Sequence, residues 1–218
     1  MKKQFLLTGA VLALCASAQA QDIYLGLGLP GLYTLGYAHP VGSSWGLRGE
    51  YGGGLSRDVT GTDNGVSYTG SIKASRTGVF ADWFPFNGGF RLVGGLTAND
   101  IQFNVNALGT GNATINGNTV SMVGNYFNVN LKYPTATPYL GVGYGHQSLN
   151  TKGLGFYADV GVMFGSFTAD VSTNLVGKAG TGGTITQADV DAQKQTMNDS
   201  LGGLKFLPSA SVGLVYRY

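Results

Sequence analysis

Apolar and polar residues alternate along most of the chain, and the last strand shows the pattern most clearly. One face of this segment carries Ala210, Val212, Leu214, Tyr216 and Tyr218, and the other carries Ser209, Ser211, Gly213 and Arg217. Val215 alone breaks the alternation. Because successive strand side chains point to opposite faces, one face is apolar and the other is small and polar. Such a strand is typical of a barrel whose outside contacts lipid.

The same alternation predicts eight strands in total, and an even number is the rule for bacterial outer-membrane barrels. We expect them at about residues 22–29, 32–39, 45–54, 68–86, 90–105, 129–144, 154–164 and 208–218. The predicted fold is all-β: an eight-stranded antiparallel transmembrane up-and-down β-barrel with one short helix in the last external loop. The alternative is a soluble eight-stranded carrier with its apolar face inside. Charged residues share a face with the glycines here, which favours the inside-out arrangement.

The fourth strand has an ambiguous period. Ile72, Ala74, Phe80 and Phe84 have one parity, whereas Val79, Ala81 and Trp83 have the other. A bulge near Arg76 would reconcile the two sets. Residues 56–67, between the third and fourth strands, are polar and are expected to form a loop.

Two local motifs are predicted in the longer connections. Residues 114–119 suggest a small hairpin on an Asn-Gly turn. A helix is expected from Thr186, its N-cap, through Leu201, with Gly202-Gly203 as the stop. Its apolar positions are sparse, so we expect a solvated surface helix that closes a loop.

Residues 1–20 have the features of a cleaved secretory signal peptide. Lys2 and Lys3 precede a mostly apolar run and an Ala18-Gln19-Ala20 cleavage site. The mature barrel domain would then span residues 21–218 and retain 11 Lys+Arg against 11 Asp+Glu, since two of the 13 basic residues are removed. A neutral chain offers no bulk basic surface for nucleic acid. The single cysteine, Cys15, would be lost with the signal.

The sequence of several strands resembles that of the small eight-stranded outer-membrane barrels, a group that includes an ornithine-uptake porin type. The resemblance rests on residues 45–51, residues 81–92, residues 138–145 and the helical insert before the last strand. It implies a monomeric barrel in the outer membrane, in contact with outer-membrane lipid. It also implies that Tyr218, in the C-terminal strand, presents the chain end to the barrel-assembly machinery. A transport role belongs to only some members of this group.

Charged residues on the inward parity predict ion pairs inside the barrel. An eight-stranded barrel is just wide enough for side chains to fill it. Arg48, Glu50 and Asp159 have comparable depths on opposite walls, so we expect a salt-bridge network that fills the lumen; a gated path for a small solute is the alternative. Asp22 and Arg217 begin and end the ring of strands, and we expect them to form an ion pair across its seam.

Aromatic residues gather near the strand ends that we assign to the periplasmic side, and we expect them to form a membrane-interface belt. They are Trp45, Trp83, Phe84, Phe86, Tyr216 and Tyr218.

No pattern in the sequence predicts a catalytic, cofactor or metal site. Some small barrels modify lipid A, but His39 and His146 fall at the periplasmic strand ends and neither lies in a nucleophile motif. We therefore expect a non-enzymatic outer-membrane protein with a largely filled lumen and a structural or small-solute uptake role. The alternatives are a narrow specific porin and, after it, a lipid A-modifying enzyme.

Overall fold

Strands dominate the computed structural model of the protein, which describes residues 21–63, 66–146 and 152–218. The predicted signal peptide lies outside these residues. The described part contains one helix, α1 (Gln187–Gly202), and fourteen strands. The strands are β1 (Asp22–Leu29), β2 (Tyr33–Pro40), β3 (Trp45–Asp63), β4 (Val66–Trp83), β5 (Phe90–Gly109), β6 (Asn112–Ile115), β7 (Asn118–Ser121), β8 (Tyr126–Lys132), β9 (Ala136–Tyr144), β10 (Gly153–Phe164), β11 (Thr168–Thr173), β12 (Ala179–Gly180), β13 (Gly183–Thr184) and β14 (Phe206–Arg217).

Eight of these strands form a closed antiparallel ring. Each pairs with its neighbours in the order β1-β2-β3-β4-β5-β9-β10-β14, and β14 pairs with β1 again. The closing register sets Asp22 opposite Arg217. The predicted eight-stranded antiparallel barrel is therefore confirmed.

The outer face of the ring is apolar, as the alternation predicts, and the buried charged side chains lie on the inner face. On β14, Val212 and Leu214 are exposed, whereas Ser209 and Ser211 are buried. Val215 is 2% exposed and packs inside with Tyr24 and Tyr157, so it follows the inward parity. The apolar outer positions of β14 span ten residue steps, from Phe206 to Tyr216. At ~3.4 Å per residue and a tilt of ~40°, this apolar belt is about 26 Å high.

The predicted bulge lies in β3 and not in β4. Ladder pairs run from Gly52 opposite Arg76 to Leu55 opposite Ala74, so β3 contains one extra residue. Gly54 accommodates it with φ at +86°. β4 is regular, and its two apolar sets are the two faces of one strand.

The expected polar loop at residues 56–67 was wrong, because β3 and β4 continue as a tall hairpin. Their pairing extends to Asp63 opposite Val66. Above the ring, β5 exchanges β9 for β8 as its neighbour, and β8 pairs with β11. The predicted sixth strand is thus two strands, β8 and β9. They are separated at Pro134, which has no N–H to donate to a ladder.

The long connections form a cap over the loop end of the barrel. Strands β6, β7, β12 and β13 make a second sheet, and Asn116-Gly117 forms the predicted hairpin turn, both with positive φ. Helix α1 begins after Thr186, which caps it as predicted. No helix among the described residues is long and apolar enough to cross a membrane. The cap has its own apolar core, whose buried members include Val66, Ile115, Met122, Leu175, Ile185 and Val190.

Candidate functional site in the barrel lumen

The three charged residues expected inside the barrel are buried and lie close together. Arg48 and Glu50 point inward from β3, and Asp159 points inward from β10; each is at most 5% exposed. The Arg48 Nη1 atom donates to Glu50 Oε2 at 2.9 Å and lies 3.6 Å from Asp159 Oδ2. One guanidinium therefore joins carboxylates from opposite walls.

Three further charges belong to the same cluster, and the sequence reasoning missed them. They are Arg76 and Asp82 on β4 and Arg91 on β5, all buried. The Arg48 Nε atom donates to Asp82 Oδ2 at 3.1 Å, and Arg91 Nε lies 3.5 Å from the same oxygen.

Two more ion pairs complete this lumen network, which we define as Arg48, Glu50, Arg76, Asp82, Arg91 and Asp159. Arg76 pairs with Glu50, and Arg91 pairs with Asp159. Three guanidinium groups balance three carboxylates, so the network is formally neutral. Neutrality matters because an uncompensated charge in a dry interior costs several kcal/mol.

Neutral side chains make further hydrogen bonds with the charged groups of the network. The Tyr24 hydroxyl donates to Glu50 Oε2 at 3.0 Å, and Arg76 Nη1 donates to Ser209 Oγ at 2.7 Å. The Arg48 guanidinium lies 4.6 Å from the centre of the Phe80 ring, within range of a cation–π interaction. These contacts hold the arginine planes in place.

Apolar side chains pack against the network and continue toward the loop end of the lumen. Phe80 and Tyr139 pack edge to face with ring centres 5.0 Å apart. Ile101, Tyr133 and Met163 belong to the same buried cluster. Continuous packing of this kind is what an eight-stranded barrel is expected to contain.

The two residues expected at the barrel seam, Asp22 and Arg217, face each other at the end of the barrel away from the cap. Arg217 Nε donates to Asp22 Oδ1 at 2.8 Å, and Arg217 Nη2 donates to Asp22 Oδ2 at 3.1 Å. His146 is fully buried beside them, with Nδ1 at 3.6 Å from Asp22 Oδ2 and its ring against Tyr24 at 4.3 Å. The base of the barrel is therefore filled as well.

Five of the six aromatic residues expected at the membrane interface are exposed on the outside. Trp45 and Trp83 are opposite each other in the β3–β4 ladder, with ring centres 6.1 Å apart. Phe86, Tyr216 and Tyr218 are also exposed. Phe84 is the exception at 4% exposed. It continues the inward parity of β4 beyond Trp83, so its assignment to the belt was wrong.

Some buried polar atoms of the lumen have no hydrogen-bond partner in the described part of the chain. They are Arg91 Nε and Nη1, Asp159 Oδ2 and both ring nitrogens of His146. The described residues contain no group of His, Cys, Asp or Glu side chains that could hold a metal ion.

Comparison with known proteins bears on the fold. No family model matches the chain, and no curated protein matches it. Among solved structures, Acinetobacter baumannii CarO2 is similar, with a TM-score of 0.61 and 20% identity over 92% of this chain and 99% of that one. This chain has the fold of the CarO barrels.

Two other solved structures are also similar. Acinetobacter baumannii CarO has a TM-score of 0.58 and 19% identity, over 91% of this chain and 97% of CarO. A major outer membrane protein from Thermus thermophilus has a TM-score of 0.45 and 12% identity, over 93% of this chain and 100% of that one.

Proposed function

We propose that the protein is an integral outer-membrane β-barrel that is exported by a cleaved signal peptide and acts as a monomer without enzymatic activity. The apolar belt, about 26 Å high, supports this location because outer-membrane barrels carry an apolar band ~25 Å tall. The aromatic residues Trp45 and Trp83 flank the belt on the side away from the cap. The long strands and the cap would then face the exterior.

The lumen network carries the functional part of the proposal. Arg48 contacts carboxylates on β3, β4 and β10, which lie around the circumference of the ring. The charges are buried and mutually neutralised, so the network acts as a plug that holds the walls together. The protein is therefore a structural component of the envelope and not a general diffusion pore.

Conductance of the reconstituted chain tests this proposal. We expect no stable conductance for the native protein in planar bilayers and no liposome swelling in small sugars. Replacing Arg48→Ser together with Glu50→Ser removes one cation, one anion and much side-chain volume, and should create a measurable ion path. The matched control replaces Lys73→Ser and Asp100→Ser, an exposed pair on the outer surface. Steady conductance by the native chain would refute the plug.

A narrow specific channel is the second candidate, and the lumen atoms that make no hydrogen bond within the described chain favour it. Arg91 and Asp159 offer donor and acceptor atoms that could bind a small zwitterionic solute in place of their present partners. This candidate predicts saturable swelling in an amino acid such as arginine, no swelling in a neutral sugar of similar size, and loss of the effect in Asp159→Asn.

We also propose that the last strand is the part recognised by the barrel-assembly machinery. In the folded chain its end is engaged at the seam: the Tyr218 N–H donates to the Gln21 carbonyl at 3.2 Å, and the Tyr218 hydroxyl donates to Gln21 Oε1 at 2.8 Å. These bonds can form only after the ring closes. The strand is therefore free to pair with the machinery during insertion, and deletion of Tyr218 should slow insertion in cells.

A further inference from the structure

A continuous polar surface covers the outer face of the tall strands above the apolar belt. Five strands contribute three outward positions each, and all fifteen residues are polar. Ladder pairing aligns them in three rows, which we call the polar grid: Thr60-Thr69-Asn106-Asn128-Ser172, Asp58-Ser71-Asn104-Asn130-Asp170 and Ser56-Lys73-Gln102-Lys132-Thr168.

The β3 bulge is what completes the grid on its first strand. Below the bulge, odd-numbered residues such as Tyr51 face outward. The extra residue reverses this parity, so that Ser56, Asp58 and Thr60 face outward beside β4. Without the bulge, Arg57 and Val59 would occupy that face. The bulge therefore determines which side chains of β3 lie on the polar outer surface.

The composition of the grid is unusual for strands. Four of its six residues on β5 and β8 are asparagine, at positions 104, 106, 128 and 130. Asparagine is depleted in strands, where threonine or valine would be more stable. The opposite face of the same strands is apolar and packs toward the cap, through residues such as Ala107, Phe127 and Val129. The outward amides therefore have no role in that core.

The centre of the grid is concave and has unused hydrogen-bonding capacity. Asn104, Asn128, Asn130 and Asp170 line a depression of about 340 Å³. Asn104 Nδ2 makes one long hydrogen bond to Ser71 Oγ, at 3.4 Å. Asn130 Oδ1 is buried in the depression and has no hydrogen-bond partner in the described chain. Burying a polar atom without a partner is costly, so this oxygen is suited to a ligand donor.

Helix α1 closes the free edge of the sheet at β11. Asn198 Oδ1 accepts from the Ala169 N–H at 2.6 Å, and Asn198 Nδ2 donates to the Ala169 carbonyl at 3.3 Å. Lys194 Nζ lies 2.8 Å from Asp170 Oδ1. The edge is therefore already occupied, and a partner of the grid must bind to its face rather than add a strand.

The grid is formally neutral, which selects the chemistry of its partner. Lys73 and Lys132 balance Asp58 and Asp170, and the other eleven positions are amides and hydroxyls. Nucleic acid or a phosphate cluster would require a basic surface. Amides both donate and accept, and they therefore match the hydroxyl groups of a sugar.

The position of the grid indicates where that sugar comes from. Along β5 the outward side chains include Leu92, Leu96 and Ala98 in the apolar belt, then Asp100, then Gln102 and Asn104 in the grid. The grid thus lies directly above the lipid-facing surface. We propose that it binds the core saccharide of the lipopolysaccharide molecules that surround the barrel. This inference rests on the proposed outer-membrane location.

A binding experiment on the detergent-solubilised full barrel tests the inference. The probes are rough lipopolysaccharide with a complete core, lipid A without core, and delipidated core oligosaccharide. We expect core-bearing lipopolysaccharide to bind at least tenfold more tightly than lipid A, and the oligosaccharide to compete with it. In Asn104→Val/Asn128→Val the preference should disappear. Valine favours strands, so this variant should fold.

A matched variant and a separate readout keep the outcomes distinct. Asn112→Val changes an exposed strand asparagine of β6, outside the grid, and should leave the preference unchanged. Equal binding of lipid A and core-bearing lipopolysaccharide, or an unaltered preference in Asn104→Val/Asn128→Val, would overturn the inference. The proposed location is tested independently by membrane fractionation of cells, because oligosaccharide binding in detergent does not depend on where the chain resides.

Discussion

Arg217 donates two hydrogen bonds to the carboxylate of Asp22 and so joins the last strand of the barrel to the first. The two residues are direct ladder partners, 195 positions apart in sequence. Both are buried, so water has little access to the pair. The pair therefore has the energetics of an interior ion pair at the point where the ring closes.

Removal of the cation from this pair should destabilise the barrel strongly. Arg217→Met leaves the Asp22 carboxylate buried without its main partner, which costs about 3–5 kcal/mol. The free energy of urea-induced unfolding in lipid vesicles measures the loss. Lys194→Met is the control, since it breaks a solvent-exposed pair that water screens. Similar losses in the two variants would contradict the role of the seam.

Arg48 should be the most sensitive single residue of the lumen network. Arg48→Ala removes contacts to three carboxylates and leaves the remaining network with a net negative charge. We expect the folded, fast-migrating gel band to disappear at a clearly lower temperature than in the native protein. Lys73→Ala, which breaks an exposed ion pair, should not change that temperature. Unchanged heat resistance in Arg48→Ala would argue against the network.

The bulge makes a prediction about two glycines of the same strand. An alanine at Gly54 would have to adopt φ near +86° and its Cβ would lie 2.5 Å from Tyr33 Cε1. Gly54→Ala should therefore cost about 1–3 kcal/mol. Gly49→Ala, where a Cβ meets no atom within 4 Å, should stay within about 0.5 kcal/mol of the native protein. The free energy of unfolding in urea is measured for both variants. Equal values would contradict the assignment of the bulge to Gly54.

Acid should loosen the start of helix α1. The hydrogen bond from the Thr186 side chain, then those from the Thr186 backbone and Asn116, hold the pKa of Asp189 below its usual range. A depressed pKa contributes stability that is present above the unfolded value of ~4 and is lost as pH falls through the folded value. The protection factors of amides in the first turn of α1, in which the pH dependence of intrinsic exchange is divided out, should therefore be higher at neutral pH than below pH ~4.

A matched substitution isolates this effect. Asp189→Asn keeps a side-chain acceptor for Thr186 but removes the titrating charge, so the protection factors in that turn should no longer change across this pH range. If the variant retained the acid response of the native chain, another group would be responsible.

Most of the barrel could be predicted because its strands obey a period of two residues. The apolar outer surface and the ring of eight strands follow from that parity. Val215 also keeps the inward parity, and it is apolar because it packs against Tyr24 and Tyr157. The cap could be predicted only at its local signals, the Asn116-Gly117 turn and the Thr186 N-cap. Its strands are two to four residues long and are stabilised by contacts distant in sequence.

Arg76 and Asp82 of the lumen network were missed because the parity of β4 is ambiguous in the sequence alone. Arg91, on β5, was missed although the alternation of that strand places it inward. With Val79, Ala81 and Trp83 outward, Arg76 and Asp82 must face inward, where Arg48 and Glu50 require partners. Phe84 was misassigned for the same reason. The missing information was the register of β3 against β4, because the extra residue next to Gly54 is not visible in either strand alone.

The inside-out arrangement of the barrel is tested most directly at two neighbouring aromatic residues of β10. Phe156 is 78% exposed on the outer face, whereas Tyr157 is 3% exposed in the lumen. With the two native tryptophans replaced by phenylalanine, a single tryptophan is placed at either position in lipid vesicles. We predict strong quenching by brominated lipid for Phe156→Trp and little for Tyr157→Trp. Equal quenching at both positions, or stronger quenching at 157, would contradict the account.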